Sequence, residues 1–250
     1  MPPRQHWPSG LLRPTFPFGR LRLEGIALIT LHHLEKSQSI RILWLLEELG
    51  VPYEVKLYDR DPQTRLAPAA YKAVSPLGTA PVITDGDVTL AETNAIVDYI
   101  LDQHDDGQLR PKPGAPNRAK YLFWFHTSQG SLQPLLTNKF VMMALTARAP
   151  FLMRPVAKAM VDGLDKAFYG PRLAALFREI EKALAGSKWF AGDTLTAADM
   201  VMGYSMELCA HRGGMTEAAY PNAFRFLKQM REYPSYIRAM EKDGKGTILL

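Results

Sequence analysis

The chain has 250 residues, 47% of them hydrophobic and 22% charged, which suits one large globular domain or two small ones. The formal net charge is +5, and Arg4, Arg13, Arg20 and Arg22 against Glu24 alone put +3 of it in residues 1–24. No basic stripe lies on a predicted element, which argues against a nucleic-acid partner. No apolar run approaches the roughly 18 residues of a membrane span, and the single cysteine, Cys209, excludes an internal disulfide and a two-cysteine metal cluster. A reduced, cytoplasmic setting is therefore expected.

Residues 1–24 hold Pro2, Pro3, Pro8, Pro14 and Pro17, a density that forbids a helix. An Arg-rich, acid-poor segment also fits a targeting peptide. The prolines oppose an amphipathic helix and no apolar h-region is present, so a disordered extension is expected. Ile26–Leu31 then reads as a buried strand. Ser39–Gly50 reads as a helix, with Ile40, Leu43, Trp44, Leu46 and Leu49 on one apolar face and Gly50 as its stop. A strand at Tyr53–Tyr58 and a helix near Leu66–Val74 follow. Pro81–Thr84 and Val88–Leu90 are short strands joined by the turn Asp85-Gly-Asp87, and Glu92–Gln103 is a helix.

Residues 105–117 are polar and carry Pro111, Pro113 and Pro116, the composition of a linker. Beyond it the periodicity is all helical. Helices are expected over Arg118–Ala147 and Pro155–Ala185, the second interrupted at Gly170-Pro171, then over Thr196–Arg212, Pro221–Arg231 and Pro234–Glu241. Thr196-Ala-Ala-Asp199 is a capping-box pattern, and Asp199 is read as a cap rather than a catalytic acid. The expected organisation is an extension at 1–24, a small α/β domain at 25–104, a linker at 105–117 and an all-helical domain at 118–250.

The most informative segment is Ser75-Pro-Leu-Gly-Thr-Ala-Pro-Val-Ile83, followed by Leu90-Ala-Glu-Thr-Asn94. Pro81 removes a backbone donor and allows a cis bond, leaving the backbone of Ala80 free to pair outside the sheet. Glu92 and Thr93 place an acid and a hydroxyl beside the free N–H groups of a helix start. Together they suit a small peptide with a charged head.

Ser37 precedes the first helix in Leu34-Glu-Lys-Ser-Gln-Ser-Ile-Arg41. No His/Asp pattern makes it a nucleophile. As a hydrogen-bond donor it could hold an anion such as a thiolate. A thiol near pKa 8.5 must fall by about two units to ionise at neutral pH, roughly 2.7 kcal/mol. A hydrogen bond to a charged group supplies about 1.5–3 kcal/mol and a helix terminus about 0.3–1 more. The competing reading of Ser37 and Ser39 is helix capping.

Four motifs stand in order: the Ser37 loop with Arg41-Ile-Leu-Trp-Leu-Leu-Glu-Glu-Leu-Gly50, then Pro76-Leu-Gly-Thr-Ala-Pro-Val82, Leu90-Ala-Glu-Thr93 and Gly192-Asp-Thr-Leu-Thr-Ala-Ala-Asp199. With them residues 26–245 resemble the cytosolic glutathione transferase superfamily, most closely its bacterial and fungal Gtt-like group. The resemblance implies a thioredoxin-like N-terminal domain that binds glutathione as co-substrate and an all-helical C-terminal domain that covers an apolar electrophile. It implies that Ser37 donates to the glutathione sulfur and that Ala80, before a cis Pro81, pairs with the cysteinyl backbone. By the same resemblance Glu92 and Thr93 hold the γ-glutamyl head. Thr79 departs from the family, where Lys or Gln is frequent, so the partner of the glycyl carboxylate is open between Arg65 and Lys72.

The resemblance further implies a homodimer, and puts Tyr121, Trp124, Phe125 and Ser128 on a helix that borders the electrophile pocket; core or dimer surface is the alternative for these four. No Cys lies in the Ser37 loop, so thiol–disulfide exchange is not expected. Cys209 reads as a small buried hydrophobe. His32 and His33 read as structural, and no ligand spacing suggests a metal. Peroxide reduction, thioether cleavage and non-catalytic binding are the alternative functions.

Overall fold

The computed structural model describes residues 28–244. The expected extension at 1–24 and the first residues of the expected first strand lie outside the described residues. Four strands form one sheet: β1 (Ile29–Leu34), β2 (Tyr53–Tyr58), β3 (Val82–Asp85) and β4 (Val88–Ala91), in the order β2-β1-β3-β4. β1 and β2 run parallel, while β3 is antiparallel to both β1 and β4. Helix α1 (Ile40–Leu49) makes the β1–β2 crossover, α2 (Ala69–Lys72) precedes β3, and α3 (Thr93–His104) follows β4. This is the thioredoxin-like arrangement.

β1 begins and ends three residues later than its apolar run suggests, so His32 and His33 lie inside it. Both are buried because each finds a partner. The His32 ring nitrogens bond Tyr58 Oη at 2.9 Å and Thr84 Oγ1 at 3.2 Å, and His33 Nε2 lies 2.8 Å from Asp243 Oδ1. α2 is shorter than expected, because Pro68 stands at its N-cap and the chain turns into Ser75-Pro76.

No helix or strand occurs over 105–117. Helices α4 (Arg118–Thr127), α5 (Gln133–Arg148), α6 (Arg154–Leu164), α7 (Gly170–Ala185), α8 (Ala197–Leu208), α9 (Pro221–Arg231) and α10 (Pro234–Lys242) build the helical half. Single π turns join α4 to α5 at Ser128–Leu132 and α6 to α7 at Asp165–Tyr169. Each ends two residues before a proline, Pro134 or Pro171. The proline ring cannot coexist with the carbonyl four residues back, and a wider turn relieves the clash without ending the helix. Gly170-Pro171 therefore bulges the helix instead of breaking it.

The eight residues Ile40–Glu47 of α1 are all buried, because α1 is covered by the sheet, by α8 and by α10. Trp44 Nε1 donates to Ser235 Oγ at 2.9 Å and its ring meets Tyr236 edge-on at 5.1 Å. One core thus runs from the sheet into the helical half.

Candidate functional site

The register of the sheet brings the candidate residues together. His32 of β1 pairs with Val82 of β3, which pairs with Ala91 of β4. The end of β1, the start of β3 and the end of β4 therefore lie at the same end of the sheet. Ser37 follows the first, Ala80-Pro81 precedes the second, and Glu92-Thr93 follows the third. No short-range pattern brings these three loops together; the antiparallel pairing of β3 does.

Ser37 is 6% exposed and Ser39 fully buried. Their hydroxyl oxygens are 2.8 Å apart, and the Ser39 N–H points to Ser37 Oγ at 3.3 Å. No side chain caps the first turn of α1. The Ala80–Pro81 peptide is cis. Thr79 is exposed, and its carbonyl accepts the Tyr71 hydroxyl at 3.1 Å.

Glu92 has φ 75° and ψ 120°, a region costly for a side chain with a Cβ, which costs about 1–3 kcal/mol. Its side chain is exposed. Thr93 is buried at the first turn of α3, and its hydroxyl has no hydrogen-bond partner among the described residues. Next to it, Asn94 Nδ2 donates to the Phe125 carbonyl at 3.0 Å and ties this helix start to α4.

Of the two cations considered for a glycyl carboxylate, Arg65 is taken by Glu35 Oε1 at 2.9 Å. Lys72 is exposed, and its stem lies along Gly78, where an added Cβ would sit 3.3 Å from Lys72 Cε. Lys72 thus reaches the turn that leads into Thr79.

Tyr121, Trp124, Phe125 and Ser128 are all buried in the core. Tyr121 stacks on Phe125 at 5.3 Å, Trp124 packs on Phe190 at 4.8 Å, and Ser128 Oγ donates to the Phe125 carbonyl at 2.7 Å. Trp124 also edges a surface cavity with Lys120, Phe123 and Glu179. A cavity of about 820 Å³ lies elsewhere, between the 106–117 linker and the Trp189–Leu195 loop, and shares no residue with the sheet-end loops. Cys209 is buried, and burial pushes its thiol up. Among the described residues no cluster of three His, Cys, Asp or Glu could hold a metal ion.

One residue escapes the sequence reading. Arg41, in the first turn of α1, is 1% exposed and its guanidinium crosses to the helical half. Nη1 donates to Gln38 Oε1 at 2.7 Å, and Nη2 to Ser205 Oγ at 2.7 Å and Gln133 Oε1 at 3.3 Å. The signal for it was a charged residue between Ile40 and Ile42 on a helix otherwise apolar up to Glu47.

Known proteins match the chain in both halves. The family model described as glutathione S-transferase, N-terminal domain, matches residues 37–103, and the corresponding C-terminal domain model matches residues 151–239. Glutathione S-transferase 3 of Schizosaccharomyces pombe is 32% identical over 223 residues, covering 89% of this chain and 91% of its own. The chain belongs to the glutathione S-transferase family of enzymes. Glutathione S-transferase 1 of Saccharomyces cerevisiae is 27% identical, over 87% of this chain and 96% of its own. A glutathione S-transferase crystal structure from Actinobacillus pleuropneumoniae is 34% identical with a TM-score of 0.69, covering 88% of this chain and 94% of its own. The same fold occurs in a glutathione transferase from Phanerochaete chrysosporium solved with oxidized glutathione, at 20% identity and a TM-score of 0.67, over 88% of this chain and 96% of its own. Among the described residues, no helix of this family member is long and apolar enough to cross a membrane.

Proposed function

We propose that this protein conjugates glutathione to an apolar electrophile, with the Ser37 hydroxyl donating a hydrogen bond to the glutathione thiolate. The observation that carries the reading is the convergence of Ser37, Ala80-Pro81 and Glu92-Thr93 at one end of the sheet. The unpartnered Thr93 hydroxyl and the exposed Glu92 carboxylate suit the γ-glutamyl head, whose ammonium needs an acid and whose carboxylate needs donors at a helix start. Strain at Glu92 fits a backbone held for binding. Lys72 is the better partner for the glycyl carboxylate, since Arg65 is already paired. Ser37 is preferred to Ser39 because Ser39 has no exposed surface to offer a ligand.

In the reaction the bound thiol gives its proton to solvent. The sulfur lone pair then forms a C–S bond with the electrophilic carbon, and the leaving group departs with the bonding electrons of the broken bond. The protein's part is to favour the ionised sulfur and hold it in place. A cytoplasmic homodimer is part of the same proposal. The exposed Val141, Leu145, Met153 and Met160 on and beside α5 and α6 support an apolar contact surface.

The test is ultraviolet titration of the thiolate on glutathione-loaded protein. Ser37→Ala should raise the ionisation midpoint by about one to two pH units, the equivalent of one hydrogen bond to a charged group. Identical midpoints for variant and parent would remove Ser37 from its role. Retention on immobilised glutathione without turnover of aromatic halides would replace catalysis by binding.

A further inference from the structure

Arg41 is a cation sealed inside the protein without an anion. All its hydrogen-bond partners are neutral: Gln38, Gln133 and Ser205. Tyr204 lies under the guanidinium with its ring centroid at 5.0 Å. Nε is buried with no partner. Among the described residues no carboxylate pairs with this guanidinium: on α8 Asp199 accepts the Phe190 and Thr196 N–H groups, and on α10 Glu241 is exposed. Glu207 of α8 is held by Arg231, Asp98 and Asp102 of α3 by Arg110, and Asp243, beyond α10, lies against His33. On α1 itself Glu47 is held by Arg238 and Lys242, and Glu48 accepts from Ser235. The charges acting on the Tyr204 phenol are Arg41, Arg60 and Arg212, with Asp243 opposing them.

A buried charge is normally paired, because leaving water costs several kcal/mol that only a counter-charge or good hydrogen bonds recover. Burial pushes this guanidinium down to about 9, so it is still charged at neutral pH. One of its two shortest hydrogen bonds goes to Gln38, the residue between Ser37 and Ser39. The Gln38 carbonyl oxygen also accepts Gln129 Nε2 at 2.8 Å. Arg41 is thereby fastened to the turn that carries the proposed thiolate donor, from the interior side.

We infer that Arg41 is a positioning residue for the thiolate: it fixes the Ser37–Ser39 turn through Gln38, and its unneutralised positive charge favours the ionised sulfur. This rests on the proposed glutathione site. Its counter-ion is the glutathione sulfur, present only when substrate is bound. Low-dielectric surroundings let such a charge act over several ångströms.

The experiment is the same thiolate titration on glutathione-loaded protein, with two variants chosen to fail differently. Arg41→Gln deletes the charge. Gln133→Glu keeps Arg41 but sets a carboxylate on its Nη2, which neutralises its field. Both are expected to raise the ionisation midpoint by about one unit, a tenfold loss of thiolate at a pH below the midpoint. Ser205→Ala, which removes one neutral contact and leaves the charge, is expected to keep the parent midpoint. If Arg41→Gln does not fold, Gln133→Glu still decides. A purely structural Arg41 would lower glutathione affinity in the variants while their midpoints stayed at the parent value, and that result overturns the inference alone. A parent protein that does not lower the thiol midpoint overturns the glutathione-site reading and this inference with it.

Discussion

Asp199 loads three hydrogen bonds on two oxygens out of reach of water. Oδ1 accepts the Phe190 N–H at 2.7 Å, while Oδ2 accepts the Thr196 N–H and hydroxyl, both at 2.8 Å. Burial pushes this carboxyl up to about 6, against the pull of those donors. It joins the start of α8 to the Trp189–Leu195 loop and touches none of the sheet-end loops. Asp199→Ala leaves three buried donors unpaired. Counting one lost cap and the orphaned N–H groups, stability should fall by about 2–4 kcal/mol. Thermal unfolding checks this, and turnover per folded molecule should stay near the parent's. The Thr-x-x-Asp spacing made this role legible, because a capping box is local. Arg41 was not legible for the opposite reason. Its partners stand 92 and 164 positions away, and an arginine in an apolar stretch reads as a side chain that reaches for solvent.

At the scale of elements, the contact between α1 and α10 is electrostatic at its rim. Glu47 accepts from Tyr53 Oη at 2.6 Å and Arg238 Nε at 2.8 Å, and also from Lys242. Burial alone would raise the Glu47 pKa, but these donors outweigh it and the pKa is lowered from 4.5. A depressed acid contributes stability that is present above its unfolded pKa and lost as pH falls through the folded one. Glu47→Gln should therefore be less stable than the parent at neutral pH, and the gap should close as pH drops below 4.5. Urea midpoints of both proteins over that range provide the measurement. Most elements were legible from period and punctuation: β2 and α9 lie where their patterns put them. β1 was misplaced because His32 and His33 look like a strand end until Tyr58, Thr84 and Asp243 supply their partners. The π turns were illegible because proline in a helix announces trouble without saying whether a break or a bulge resolves it.

For the whole molecule, the sheet half and the helical half share one core, and α10 closes it. Ser235, Tyr236 and Ala239 of α10 are buried, and the first two lie on Trp44. A chain ending at Tyr233 loses that cover. Uncovering a large apolar side chain costs about 1.5–3 kcal/mol, and here the loss of α10 also removes Arg238 and Lys242 from Glu47, leaving it Tyr53 alone. Such a chain should show red-shifted tryptophan emission and a lower urea midpoint. A truncated protein that matches the parent in both would mean that α10 is an appendage. The order of sheet half, linker and helical half was readable from composition; the depth of their contact was not, since it depends on which face of α1 each helix covers.

The hydrogen bonds from Arg41 to Gln133 and Ser205 have a consequence for inheritance. The turn that carries Ser37 is encoded in the first half of the gene, but two of the residues that hold its guanidinium brace are encoded in the second. Exchange of whole halves with a relative would separate Arg41 from these two partners and set new side chains against the shared core. The side chain at position 41 is therefore matched to side chains that lie far along the chain, at positions 133 and 205.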